Sequence, residues 1–199
     1  MRPIDHTVIG RRACAAASFP AGSRHPMDIR PFRASDGMLI KHVRLRSLAD
    51  APYAFGQQSF AEESALPDSH WHQLAAQVGG QDPAWRDRCV SWVVLDADEA
   101  CGTATCYLCP QVPHQAYFTS AWIDPRFRRR GVGRQLVDKA IAWAAAHGAE
   151  HLRLWVDDTN PSAAEFYRAL GFVQTGENRP VSEGSSERQS IFERGVTLG

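Results

Sequence analysis

At residues 127–136 the chain reads FRRRGVGRQL, and the period of its apolar residues changes across that stretch. Before it, AYFTSAWI (116–123) is a run of aromatic and β-favouring residues, a strand that stops at Asp124-Pro125. After it, Val132, Leu136, Val137, Ala140, Ile141 and Ala144 recur at three and four, one face of a helix, and Gly148 closes that helix. A strand that runs through two glycines into a helix points unpaired backbone N–H groups and the positive end of the helix dipole outward. That is an anion site in outline. Gly131 and Gly133 keep side chains off the backbone, while Arg128, Arg129, Arg130 and Arg134 carry enough charge for the two phosphates of a pyrophosphate. A solvated basic turn explains the arginines, but not the glycines coinciding with the helix start.

Other phosphate loops use the same physics and fit less well. No Lys-Ser or Lys-Thr follows these glycines, as a P-loop requires, and Leu136 stands where a dinucleotide fingerprint has its third glycine. The charge is local. Lys plus Arg (22) equals Asp plus Glu (22), so nothing draws the whole chain to nucleic acid or to an anionic membrane. No apolar run approaches the roughly 18–20 residues of a membrane-spanning helix.

The rest of the pattern reads as one mixed domain over residues 27–198. DIRPFR (28–33) opens as a strand, and a helix follows through SDGMLIKHVRLRSLAD (35–50), where Met38, Val43, Leu45 and Leu48 sit among basic residues. In a second helical region Trp71, Leu74 and Val78 share a face. CVSWVVLDADEACGTATCYLC (89–109) predicts two strands joined at residues 96–99, and AYFTSAWI adds a further antiparallel strand. HLRLWVDD (151–158) alternates, with Leu152, Leu154 and Val156 on one face and Arg153 and Trp155 on the other. Asn160 caps a helix whose first position is Pro161 and whose end is Gly171, and residues 172–196 read as two strands around a Gly/Ser loop. Residues 1–26 carry four arginines against one aspartate and no sustained period, so a disordered extension is expected, with Met27 a second candidate for the natural start.

Five cysteines and no convincing export signal predict reduced thiols and a cytoplasmic protein. Cys106 and Cys109 form a CxxC, but an odd separation on a strand sends them to opposite faces, and only His114 lies near. No metal is expected.

RRRGVG (128–133) fits the Arg/Gln-x-x-Gly-x-Gly/Ala signature. With AWIDPRF before it and NPSAAEFYRALGF after it, the chain resembles the GNAT superfamily of N-acetyltransferases over roughly residues 27–198. DIRPFRASD, DAPYAFGQQ and GFVQTGENRP look like its many small bacterial members. The resemblance implies an α/β (α+β) fold with a central, mostly antiparallel twisted sheet flanked by helices. It implies acetyl-CoA as acyl donor, its pyrophosphate cradled by backbone N–H groups of residues 129–134, Val132 included, and its pantetheine arm paired with the backbone of Trp122 and Ile123. Asn160 and Tyr167 would sit beside the sulfur. The chemistry is direct attack of a primary amine on the thioester, which asks the protein to align two reactants and dispose of two protons.

Tyr167 is the candidate general acid; packing beside Phe166 and Leu170 is its other explanation. Glu62 and Glu63 are candidate bases, each equally a residue of a solvated helix face. Asp124 is an alternative base or a turn device. Tyr53, Phe55 and Trp71 are candidate acceptor-pocket residues, and His70 and His72 stay ambiguous. The acceptor is a small amine, an amino acid, an aminoglycoside-type drug, or a protein lysine or N-terminus; a homodimer is also open. A catalytically inactive acyl-CoA-binding or regulatory module is the alternative.

Overall fold

Alternating stretches of the chain become strands, and stretches of three-and-four spacing become helices. The computed structural model describes residues 27–51, 59–181 and 184–196, so the N-terminal extension, Tyr53 and Phe55 lie outside the described residues. The order is β1 (Asp28–Pro31), α1 (Gly37–Asp50), α2 (Phe60–Ser64), α3 (Asp68–Val78), β2 (Cys89–Asp96), β3 (Glu99–Leu108) and β4 (Gln115–Ile123). A 3-10 turn (Pro125–Phe127), α4 (Val132–Ala146), β5 (His151–Asp157), α5 (Pro161–Ala169), β6 (Val173–Pro180) and β7 (Arg188–Gly195) complete it.

The strands form one sheet in the order β1-β2-β3-β4-β5-β7-β6. Every neighbouring pair is antiparallel except β4 and β5, which α4 connects as a parallel crossover. On one side of the sheet Leu136, Val137, Ala140 and Ala144 of α4 pack with Leu152 and Leu154 of β5 in the larger core. On the other side Ile40, Val43, Trp71 and Ala75 of α1 and α3 pack with Val93 and Trp122. The two layers of helix thus cover opposite faces of the sheet, which is how each amphipathic face finds apolar cover.

Helix α1 differs from its sequence reading. Its buried residues are Gly37, Ile40, Val43, Ser47 and Leu48, whereas Met38 is 47% exposed and Leu45 only half-buried. Gly37, Ile40, Val43 and Ser47 form a three-and-four face of which Ile40 and Val43 pack on the sheet, and that rotation leaves Met38 outside and lets Arg44 reach Glu63 and Arg46 reach the Ala100 carbonyl and Asp124. Among the cysteines, Cys106 is buried with its thiol 3.9 Å from the Ala140 carbonyl, and Cys109 lies just past the end of β3. Among the described residues no group of three His, Cys, Asp or Glu side chains is placed to hold a metal ion.

Candidate active site

The feature that makes room for a ligand is a break in the sheet. In the parallel ladder Gln115, Ala116 and Tyr117 stand opposite His151, Leu152 and Arg153, and pairing stops there although both strands continue. Two causes are visible. Strand β4 changes register against β3 between Thr103 and Thr105, a bulge in which Ser120 takes φ 53°. Strand β5 meanwhile stays in register with β7 to its end. Past Tyr117, β4 has no strand on its β5 side among the described residues, so its backbone polar groups there lack a ladder partner.

A cleft of about 960 Å³ opens over this break. The helices give one wall, with Val43, Arg44, Glu63, His70 and Trp71, and the strands give the other, with Tyr107, Tyr117, Trp155, Asp157 and Arg179. Thr119, Ser120 and Ala121 of the free β4 edge line it, as do Asn160 and Tyr167 from the start and middle of α5. Beyond them the chain runs through Trp122, Ile123 and the 3-10 turn into α4.

The arginine–glycine turn is shaped as an anion site. Gly131 is the N-cap of α4 at φ 81°, a left-handed conformation that favours glycine, and a Cβ built there meets nothing within 4 Å. No side chain caps α4 and no acidic residue occupies its first turn, so its leading N–H groups are left for a ligand. Arg129 also has positive φ, at 64°. Gly133 has a packing role as well, since a Cβ there would lie 3.1 Å from Phe166 Cζ.

The arginines divide by partner. Arg128 donates to the Ile123 carbonyl at 2.8 Å and to Asp50, which also accepts the Trp122 indole N–H at 2.9 Å. Arg128 and Trp122 therefore tie the end of α1 to the turn. Arg130 lies 5.0 Å above the Phe127 ring. Arg129, Arg130 and Arg134 are exposed and have no carboxylate partner among the described residues. The turn thus keeps Arg129 and Arg134 without a partner among the described residues, and Arg130 against the Phe127 ring, beside an uncapped helix start, a set of groups that could hold an anion.

Tyr167 is half-buried between Phe166 and Phe172, its ring edge-on to both at 5.1 and 5.7 Å. Burial pushes its phenol well above the ordinary value of 10, so it stays protonated at neutral pH. The Asn160 side chain accepts from the Ala163 N–H at 3.1 Å, capping α5 while it lines the cleft. Glu63 is buried and gripped by the Arg44 guanidinium, with contacts of 2.8 and 2.9 Å.

The other candidate bases are engaged away from the cleft. Glu62 is exposed and forms a capping box with Ser59, whose hydroxyl and N–H hold its carboxyl below the usual range. Asp124 caps the 3-10 turn. Burial raises its pKa, but hydrogen bonds from the Arg126 side chain and backbone and the charges of Arg126 and Arg46 outweigh that and hold it below 3.8. His70 lies edge-on to Trp71 at 5.2 Å, and His72 packs on Gly37, where a Cβ would come within 2.6 Å of its Nδ1. Trp71 is buried, and its indole N–H has no partner among the described residues.

Several cleft-lining residues, among them Tyr107, Tyr117, Asp157 and Arg179, were not singled out from the sequence. Asp157 continues the β5 face that carries Arg153 and Trp155, is half-buried, and has its carboxyl raised by burial first and then by the charges of Glu187 and Asp158. The alternation that placed Arg153 and Trp155 on that face was the signal for its face, not for the cleft.

Comparison with known proteins bears on the family and the fold. An uncharacterized N-acetyltransferase of Methanocaldococcus jannaschii is 47% identical over 53 residues, 27% of this chain and 24% of that one. The chain spans only about a quarter to a third of the length of the first curated relatives it matches, at 24%, 33% and 30%. The fold is shared with a GNAT-family acetyltransferase from Streptococcus pneumoniae, at a TM-score of 0.67 and 18% identity over 86% of this chain and 99% of that one. It is shared too with an acetyltransferase from Salmonella typhimurium solved with acetyl-CoA, at a TM-score of 0.64 and 15% identity over 88% and 96% of the two chains. The family model described as acetyltransferase (GNAT) matches residues 52–172, more than half of the sequence, and the chain belongs to that family.

Proposed function

We propose that the chain is an acetyl-CoA-dependent N-acetyltransferase that passes an acetyl group to a primary amine by direct attack within a ternary complex. The observation that carries this is the ladder that stops at Tyr117–Arg153 and opens toward an uncapped helix start flanked by arginines with no carboxylate partner among the described residues. The edge of β4 that lacks a β5 partner past Tyr117, down to Trp122 and Ile123, is suited to the amide-bearing pantetheine arm, although the Ile123 carbonyl already accepts from Arg128. The N–H groups of residues 129–134, with Arg129, Arg130 and Arg134, are suited to the pyrophosphate. Arg128 serves the turn itself, since Asp50 and the Ile123 carbonyl occupy it.

When bound, the donor supplies an activated acyl group. The chain's own residues align the acceptor and manage protons. Tyr167 holds a proton on a phenol that lines the cleft, and releases it to the leaving sulfur. Asn160 caps α5 through its side-chain carbonyl, and its amide N–H groups, with no partner among the described residues, can orient the arm. The acceptor enters between the α1–α3 wall and the β5–β7–β6 side of the sheet.

The test uses the full chain with acetyl-CoA and a panel of primary amines, including small amines, amino acids, aminoglycosides and peptides with free N-termini or lysines. Thiol release is followed colorimetrically and donor binding by calorimetry. Binding with thiol release on at least one amine supports the reading; binding without turnover on any amine class supports a non-catalytic acyl-CoA module instead.

A further inference from the structure

Among the described residues two carboxylates line the cleft, and they stand in opposite conditions. Glu63 is held by the Arg44 guanidinium through both of its oxygens. Asp157 has no basic partner among the described residues. Its main-chain carbonyl accepts the Asn160 N–H at 2.8 Å, so it sits one turn before the helix that carries Tyr167. As β4 and β5 are parallel, the last residue of β5 stands at the open end of the break, on the sheet face toward the acceptor wall.

We propose that Asp157 is the base of the transfer: its carboxylate receives the ammonium group of the acceptor and takes the proton that must leave before nitrogen can attack. This rests on the acetyltransferase reading above. The charges around Asp157 suit that task. Opposite it in the ladder is neutral Gln189, while Glu187 and Asp158 face it with like charge, and Asp158 is held by the Ser190 hydroxyl at 2.8 Å. The cations of this face are committed elsewhere, Arg179 over the Trp155 ring at 4.0 Å and Arg188 on the Asn178 side chain. A half-buried carboxylate among like charges is short of a counter-ion, and an alkylammonium supplies one. Its raised affinity for a proton also makes it a stronger base near neutrality than an ordinary aspartate.

The step balances as follows. The acceptor ammonium gives one proton to Asp157 and becomes a neutral amine. Its lone pair forms the C–N bond at the thioester carbonyl carbon, and the C–S bond breaks with its electron pair on sulfur. Tyr167 gives its phenolic proton to that sulfur. The second nitrogen proton, released as the amide forms, returns to the phenolate through solvent, and the proton on Asp157 passes to bulk.

The experiment combines kinetics and a titration. With an amine that the wild-type chain acetylates, kcat/KM is measured against pH for Asp157→Asn, Asp157→Glu, Glu187→Gln and His70→Ala, with acetyl-CoA affinity measured alongside. Asp157→Asn is expected to lose about 100-fold or more in kcat/KM, the typical scale for a positioned base, and to lose the acid limb of the profile while binding acetyl-CoA normally. Asp157→Glu recovers part of the rate, and Glu187→Gln moves the acid limb to lower pH. Independently of any variant, a carbon-13 titration of the wild-type chain should show the Asp157 carboxyl titrating above ordinary aspartates and falling when the amine is added. Asp157→Asn within threefold of wild type, an acid limb that vanishes only in His70→Ala, or an Asp157 carboxyl with an ordinary midpoint would each overturn the assignment. Failure of the wild-type chain to bind acetyl-CoA overturns the underlying reading, and this proposal with it.

Discussion

Placing a negative charge at the second position of α4 separates stability from ligand binding, because Gly133→Glu should move the two in different directions. Gly133 is helical, so a glutamate there gains about 0.5 kcal/mol of helix propensity. An acidic side chain in the first turn of a helix gains about 0.3–1 kcal/mol more from the dipole. Against this stands the Cβ contact of 3.1 Å with Phe166 Cζ. Phe166 is 38% exposed, so its ring can swing outward at a cost of about 1 kcal/mol, the low end for overpacking. Folding stability should therefore change by less than about 1 kcal/mol, or about 2–4 °C in Tm for a domain of this size. Binding should not survive. A carboxylate about 4 Å from a bound phosphate repels it by about 4 kcal/mol at an effective dielectric constant of 20, roughly a thousandfold in Kd. Calorimetric titration with acetyl-CoA and thermal denaturation of the unliganded chain measure the two quantities, and Gly133→Gln separates charge from bulk. If Gly133→Glu bound acetyl-CoA within twofold of wild type, the cradle assignment would be wrong and Gly133 would serve only to admit Phe166.

Other expectations follow from particular contacts. Tyr167→Phe should lower kcat about 100-fold with little change in KM or Tm, because the phenol has no hydrogen-bond partner among the described residues; an unchanged single-turnover rate would remove its role as acid. Asp124 has a folded-state pKa below 3.8, so its stabilisation is complete above that value and is lost as pH falls through the folded pKa. Asp124→Asn should then cost about 1–3 kcal/mol at pH 7, with the gap in Tm to wild type closing as the pH drops below about 3.8. Burial pushes the thiols of Cys89 and Cys101 to about 11 and that of Cys106 higher still. In a Cys14→Ser background, Cys109 should therefore be the first to react with a thiol reagent at pH 7, as read by mass spectrometry.

What the sequence made legible was local. The period change across residues 127–136 located β4, the turn and α4, and the alternation of Leu152, Leu154 and Val156 located the covered face of β5. Helix α1 was less legible, because apolar residues occur on several of its faces and it is Ile40 and Val43, not Met38 or Leu45, that pack on the sheet. Arg46 meets Asp124 and Arg44 meets Glu63, and no periodicity within 37–50 encodes those partners. The break between β4 and β5 is likewise non-local. Nothing in AYFTSAWI or HLRLWVDD states that pairing ends at Tyr117, since that depends on the bulge against β3 and the pull of β7. Glu62 and Glu63 are neighbours of one residue type, and their separation into a helix cap and a cleft-lining ion pair followed only from the position of Ser59 and Arg44. Asp157 lay within the strand HLRLWVDD but was not singled out, because alternation gives its face without showing that this face lines a cleft.

The shortness of the β4–β5 ladder also has a mechanical meaning. Strands β1–β4 and strands β5–β7–β6 form two half-sheets stitched along a single seam at residues 115–117 and 151–153, with α4 lying across both. On the proposed reading, a donor arm in the gap would lengthen that seam, and a donor present at about 100 times its Kd would add about 2.7 kcal/mol to the resistance of the whole domain to unfolding. Amide protons at the C-terminal ends of β4 and β5 should then slow their exchange together, as a zipper closes from its base. A chain shaped only for durability would have zipped the two halves shut to Val156; this one leaves the teeth open where a second molecule can finish the row.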